Sequence, residues 1–180
     1  PRARATFFRM SARKQYLLGQ PGDLPLSIRA LLDMLRLVRE QTVKTVEGLT
    51  TAQLDHRHDE QSNSIGMLLW HIAGVETWYQ VHSFDEREWG PDDAAEWDVA
   101  LDMGAAARER TGYPAEHYVE ILRRVREKTE RELRARDEEW LLRVAPLGED
   151  VESNNYWNWF HVCEDEIGHN GQIRWLKKRL

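Results

Sequence analysis

Four long stretches of this chain repeat their apolar residues at steps of three and four, and no stretch alternates convincingly between turn signals. That regularity points to an all-α fold. The first stretch runs from about Leu26 to Glu47. Its face is Ile28, Leu31, Leu32, Leu35, Val38, Thr42, Val43 and Val46, and Gly48 stops it. A polar loop, Leu49–Ser62, leads to a second helix predicted from Asn63 or Ser64, either of which can cap it, to about His82. The third begins near Ala115, just after Pro114, and reaches about Arg136. On it Glu120–Arg124, Glu127–Arg131, Glu130–Arg134 and Glu132–Arg136 are spaced for ion pairs on a solvated face. The fourth runs from about Ser153 to Arg179, where basic residues suit the negative end of the helix dipole.

Between the second and third helices lies Ser83–Pro114, too long for a plain loop in a compact domain. A short extra helix is predicted over Ala94–Glu109, with Trp97 and Leu101 on one side. The architecture that fits is a four-helix bundle with one long crossover between helices two and three. At 180 residues the chain suits one such domain, assigned to residues 26–180, with residues 1–25 as a basic N-terminal arm. The arm carries Arg2, Arg4, Arg9, Arg13 and Lys14 with no acid before residue 15. It lacks the continuous apolar stretch of a secretory signal and is read as packing on the domain or on a second subunit.

Charge placement narrows the partners. Residues 174–180 are likewise basic and acid-free, through Arg174, Lys177, Lys178 and Arg179. Setting aside these nine basic residues leaves 16 against 31 acidic ones, a body at −15 that repels a phosphate backbone. Nucleic acid is therefore not expected as a partner. Nor is a membrane: the longest uncharged run, Gln61–Val75, has 15 residues and includes Gln, Ser, Asn and His. One cysteine, Cys163, excludes a disulfide framework within the chain, and a cytoplasmic location is expected.

The fourth helix carries the chemistry. On a wheel of about 100° per residue, with His161 at zero, Gln172 falls near 20°, Asp165 near 40°, Asn158 near 60° and His169 near 80°. These five make one polar stripe flanked by Trp157, Phe160, Val162 and Trp175. Such a stripe faces water or a buried site that satisfies it. On the second helix His71 shares a face with Met67, Leu68, Val75 and Trp78. Residues four apart on one helix, joined by a third from a neighbour, can hold one ion. Two imidazoles and a carboxylate suit zinc, nickel, iron or manganese. His161 and His169 are separated by about 12 Å along the axis, too far to share one ion comfortably. Reach therefore leaves His161/Asp165 and Asp165/His169 as alternatives.

The segment Ser64-Ile-Gly-Met-Leu-Leu-Trp-His-Ile-Ala-Gly-Val-Glu, together with Asp165-Glu-Ile-Gly-His-Asn-Gly-Gln-Ile, resembles the DinB/YfiT-like metalloenzyme family over roughly residues 26–180. The resemblance implies a bundle, often dimeric, that holds one divalent metal through His71, Asp165 and His169. Gln172 would lie close by, His161 would be a neighbour, and Trp78 and Asn158 would belong to the pocket. Many members have His where this chain has Asp165, and an oxygen ligand makes the site harder and more negative. Relatives include transferases and isomerases that use low-molecular-weight thiols such as bacillithiol or mycothiol. The implied partner is thus a small molecule, with a thiol held by the metal as thiolate.

Other candidates have plainer readings. Cys163 lies about 160° from the middle of the stripe and is read as a small buried filler. Glu76, about 140° round from His71, is read as a salt-bridge or helix-contact residue. His82 shares the face of His71 but sits about 16 Å further on. His56 and His58 are read as solvated loop histidines. The eight tryptophans are read chiefly as core, with an aromatic pocket as the alternative. Two functions compete: a metalloenzyme activating a thiol or water in a tryptophan-walled pocket, and a non-catalytic ligand-binding or regulatory dimer. In a third reading the stripe is only a hydrogen-bonded core network.

Overall fold

The computed structural model describes residues 16–148 and 150–180. Residues 1–15 of the expected arm lie outside the described residues. The remainder of that arm turns back on the first helix, where the Gly19 N–H donates to Asp33 at 2.8 Å.

The apolar periodicity of the first stretch becomes α1, Leu26–Val46, and Gly48 follows it with φ +75, a left-handed stop that favours glycine. The expected loop after it holds a short helix, α2 (Thr51–Asp55), closed by a capping box between Thr50 and Gln53. Ser64 caps α3, Ile65–Tyr79, by accepting from the Met67 N–H. The same helix then loosens into a π-helical turn, Gln80–Phe84. The crossover holds two helices, α4 (Pro91–Asp102) and α5 (Ala105–Arg108), where one was expected. Met103, at φ 49, separates them. α6, Ala115–Arg134, starts after Pro114 as predicted. Beyond it come α7 (Glu138–Leu142), capped by Asp137, and a small antiparallel hairpin of β1 (Val144–Pro146) and β2 (Glu152–Asn154). Neither was expected. Asn154 then caps α8, Asn155–Lys177.

The chain is mostly helical. α1 packs on α8 and α6, and α3 packs on α6 and α8. Side chains gather in two apolar clusters. One joins α3 residues 65–73 to Tyr118, Leu122 and Val125 of α6 and to Ile173 and Leu176 of α8. The other joins Ile28–Val38 of α1 to Tyr79, Leu133 and the Trp159–Cys163 end of α8. Between the clusters, in all four long helices, comes one buried charged residue: Arg39, Glu76, Arg126 and Glu166. Arg39 donates to Glu166 through Nε at 2.8 Å and to Glu76 through Nη2 at 2.8 Å. Arg126 donates to Glu76 through Nε at 2.7 Å and to Glu166 through Nη2 at 3.0 Å. The spare donors reach the carbonyls of Leu122 and Leu35, and Thr129 donates to Glu76 at 2.6 Å. Every charge in this layer is paired and hydrogen-bonded, the condition on which buried ions are tolerated.

On the exposed face of α6 the expected Glu132–Arg136 pair forms at 3.5 Å, and Glu132 also meets Arg131 at 3.2 Å. Arg123, which belongs to none of the expected pairs, joins Glu120 three residues before it and Glu127 four residues after it. Steps of three compete equally with steps of four on a helix surface. Of the tryptophans, Trp70, Trp97, Trp140 and Trp159 are buried, and Trp157 and Trp175 are exposed. No helix among the described residues is long and apolar enough to cross a membrane.

Candidate metal centre

α3 and α8 lie side by side, and their facing sides bring together three of the singled-out residues. His71, Asp165 and His169 each offer one donor atom, and these atoms all lie within 4.8 Å of one another. Asp165 Oδ1 stands 3.3 Å from His169 Nε2 and 3.9 Å from His71 Nε2. The two imidazoles meet edge to face with centroids 4.8 Å apart.

The orientation of His71 comes from the crossover. At Gly74, one turn beyond it, an added Cβ would lie 3.3 Å from Ala100 Cβ and 3.5 Å from Trp97, so glycine lets α4 approach α3 closely. That approach puts the Ala100 carbonyl 2.9 Å from His71 Nδ1. A proton on Nδ1 is donated to this carbonyl, which leaves the Nε2 lone pair facing Asp165. Burial lowers the His71 pKa and the neighbouring His169 adds to this, against the Ala100 carbonyl and Asp165. The ring is therefore neutral at neutral pH. Burial also works against a charge on His169, but Asp165 outweighs it and raises the pKa, with Gln172 acting in the same sense. His169 Nδ1 and Asp165 Oδ2 are buried with no hydrogen-bond partner among the described residues.

The other stripe residues have separate surroundings. His161 stacks on Trp157, touches the Tyr79 ring edge-on and bonds Glu164 through Nδ1 at 2.9 Å. Asn158 is fully buried and accepts from Ser153 at 2.7 Å, so it ties α8 to the hairpin. Trp78 stacks on His82 and lines a different cleft. Gln172 lies beside the three converging residues, on the wall of a cavity of about 550 Å³ between Gln61–Asn63 and Gly168, Gln172 and Trp175 of α8. His58, read as solvated, meets Trp175 edge-on at 5.1 Å. Cys163 is buried, as expected of a filler, and Glu76 is a salt-bridge residue in the charged layer.

The sequence model of the mycothiol S-transferase family matches residues 30–180. The chain belongs to this family, one of the DinB-like families. No curated protein matches it.

Two features of this mycothiol S-transferase family member escaped sequence reasoning. The Ala100 carbonyl that orients His71 leaves no side-chain signature, although the small residues Gly74 and Ala100 are the pair a close helix contact requires. Tyr79 sits beside the polar stripe. Burial, with the negative charge of Asp165, pushes its pKa up to about 12, so the phenol is a neutral hydrogen-bond donor at neutral pH.

Proposed function

We propose that His71, Asp165 and His169 hold one divalent metal ion, zinc or nickel before manganese or iron, and that the protein transfers a low-molecular-weight thiol of the mycothiol type. The observation that carries the metal reading is Asp165 Oδ2, a buried carboxylate oxygen with no donor, beside two imidazoles. Two donors on one ion of this class stand roughly 3 to 3.5 Å apart, close to the 3.3 and 3.9 Å that separate the other oxygen of the same carboxylate, Asp165 Oδ1, from His169 Nε2 and His71 Nε2. Buried polar atoms are normally satisfied, and an ion would satisfy this oxygen. The imidazole of His71, held through Nδ1 by a carbonyl, has the arrangement that a metal-binding histidine needs.

A divalent ion in this place supplies electrostatic stabilisation of a thiolate over a thiol near neutral pH. The chain's own residues do the rest. Ala100 fixes the tautomer of His71, and Asp165 sets the negative charge of the donor group. The cavity beside Gln172 and Trp175 has a volume within the usual range for small-molecule sites and receives the thiol. Family membership supports the thiol as partner.

The fold reading belongs to the same proposal. α1, α3, α6 and α8 form a four-helix bundle over residues 26–180, with Ser83–Pro114 as its long crossover. The contacts among these four helices and the charged residue that each places between the apolar clusters support it. A homodimer is supported by Tyr156, Trp157 and Phe160, which are exposed on α8 and line an apolar groove of about 400 Å³. A cytoplasmic location suits a thiol-dependent enzyme with one free cysteine.

Metal content by mass spectrometry tests the centre. Untagged protein is expected to hold near one equivalent and His169→Ala to lose it. Wild-type protein that takes up no zinc, nickel or manganese would leave a ligand-binding bundle whose Asp165–His169 ion pair is an end in itself.

A further inference from the structure

A cavity of about 310 Å³ lies where α3, α4 and α6 meet the segment after α5, and it shares no lining residue with the candidate metal centre. One wall is the face of α6 that steps by threes and fours through His117, Glu120, Ile121 and Arg124. Arg110, two residues past the end of α5, reaches in beside them.

The setting of Arg110 marks the cavity as more than a surface fold. Its guanidinium carbon stands 3.5 Å from the centre of the buried Trp70 ring, a separation that only a flat stack allows. A stacked guanidinium keeps its N–H groups in its own plane, so the indole covers one face and leaves the donors clear. Among the described residues the half-buried Arg110 side chain makes no hydrogen bond or ion pair, and none of its nitrogens is shut off from solvent. An arginine fixed in place with its fork unused is organised in advance for an acceptor with two parallel oxygens.

The neighbouring charges fix the class of that acceptor. Arg124 also makes no side-chain hydrogen bond, and the Glu96 carboxylate of α4 stands 3.9 Å from it. Glu120 accepts from Arg123 with both oxygens, at 2.8 and 2.6 Å. The lining thus keeps one positive charge, that of Arg110, without a counter-charge. One charge matches a monoanion, whereas a phosphate dianion would stay partly uncompensated. His117 adds a third base: burial lowers its pKa, and Arg110 and Arg124 add to this. Its neutral ring can donate or accept. The rest of the wall is apolar, from Ile121 and the buried Trp97, and suits carbon rather than a bare inorganic ion. The volume is at the lower end of the range for small-molecule sites.

We propose that this cavity is a second binding site, for a small organic monocarboxylate, with Arg110 bonding both carboxylate oxygens, Arg124 adding positive charge, and Ile121 and Trp97 meeting the apolar part. This site is independent of the metal reading.

The test titrates the full chain with sodium isobutyrate at constant ionic strength and follows indole N–H and imidazole C–H resonances. Saturable shifts are expected at Trp70, Trp97 and His117, with none at His71 or His169. A bound carboxylate offsets both arginines, so His117 should titrate at higher pH when the site is filled. Isobutyramide, of the same shape without the charge, and sodium phosphate should each bind roughly tenfold more weakly or worse. Arg110→Lys keeps the charge but loses the fork, and should weaken isobutyrate roughly tenfold, the scale of one charge-assisted hydrogen bond. Arg124→Gln should weaken it roughly threefold, and because Arg124 is exposed this variant keeps the test valid even if Arg110→Lys fails to fold. No saturable shift, isobutyramide binding as well as isobutyrate, tighter binding of phosphate, or unchanged affinity in the folded variants would overturn the proposal. Because the readout needs no metal, its failure is distinct from failure of the metal-content measurement.

Discussion

Asp165 and Glu166 are consecutive residues of α8 whose carboxylates meet opposite surroundings. Glu166 accepts from both Arg39 and Arg126 in the charged layer, while Asp165 faces His71 and His169 and leaves Oδ2 without a donor. Neutralising them should therefore have unequal consequences. Glu166→Gln leaves two buried guanidiniums facing a single carboxylate and is expected to cost about 3–5 kcal/mol. Asp165→Asn removes only the partner of His169 and should change the stability of metal-free protein by about 1 kcal/mol or less. Urea unfolding of both variants beside the wild type measures the difference, and equal losses would contradict it.

The charged layer also sets the response to acid. Burial alone would raise the Glu76 carboxyl, but Arg126 and Arg39 outweigh it and hold its pKa at about 2, against an ordinary 4.5. A carboxyl with a depressed folded pKa binds its proton more readily in the unfolded chain. Its contribution is therefore complete above about 4.5 and is lost as pH falls through about 2. The amount is on the order of 3 kcal/mol. Unfolding free energy measured at stepped pH should fall across that window, and Glu76→Gln should flatten the fall while lowering stability at neutral pH.

The close approach of α3 and α6 rests on Gly66. A Cβ there would lie 2.6 Å from the Tyr118 hydroxyl oxygen and 2.9 Å from Cζ, and the ring is buried. Overpacking of this kind costs about 1–3 kcal/mol, and the severity of the clash puts Gly66→Ala in the upper part of that range. Better helix propensity returns about 1 kcal/mol, so a net loss of roughly 1–2 kcal/mol is expected. Tyr118→Phe removes the nearer contact and should recover part of it, which makes the pair non-additive. Thermal denaturation of the two single variants and the double variant completes the cycle. Additive losses would place the clash elsewhere.

The long helices were legible because their apolar faces and caps are local signals. α1 was expected over Leu26–Glu47 and folds over Leu26–Val46, and one of the two proposed caps, Ser64, starts α3. The hairpin was not legible: three-residue strands, one ending in Pro146, are too short to display alternation. α7 is five residues long and shows no period. The three residues that converge between α3 and α8 were readable from spacing only as two alternative pairs, because a wheel places residues on a face without saying what lies opposite. The charged layer had a signal that went unused. Arg39 falls four residues after Leu35 on the apolar face of α1, and Glu76 is the only charged residue in α3. Isolated charges at core positions of several helices are what a buried ion network requires.

Cys163 completes the contrast between groups placed to react and groups placed to pack. It is the chain's only cysteine, 6% exposed, within the cluster that joins α1, α7 and α8. Burial pushes its thiol pKa up, Glu166 adds to this and Arg126 opposes it. Thiolate is the reactive form, so both its scarcity at neutral pH and its burial protect the sulfur. Native protein should react with a disulfide reagent such as dithiobis(nitrobenzoate) only through opening of the fold. The rate should then climb with urea in step with unfolding. Cys163→Ala should retain both metal uptake and any thiol transfer, because the transferred sulfur belongs to the small thiol. Rapid reaction of the native protein would instead require an accessible thiolate and would return the protein's own sulfur to the set of candidate nucleophiles.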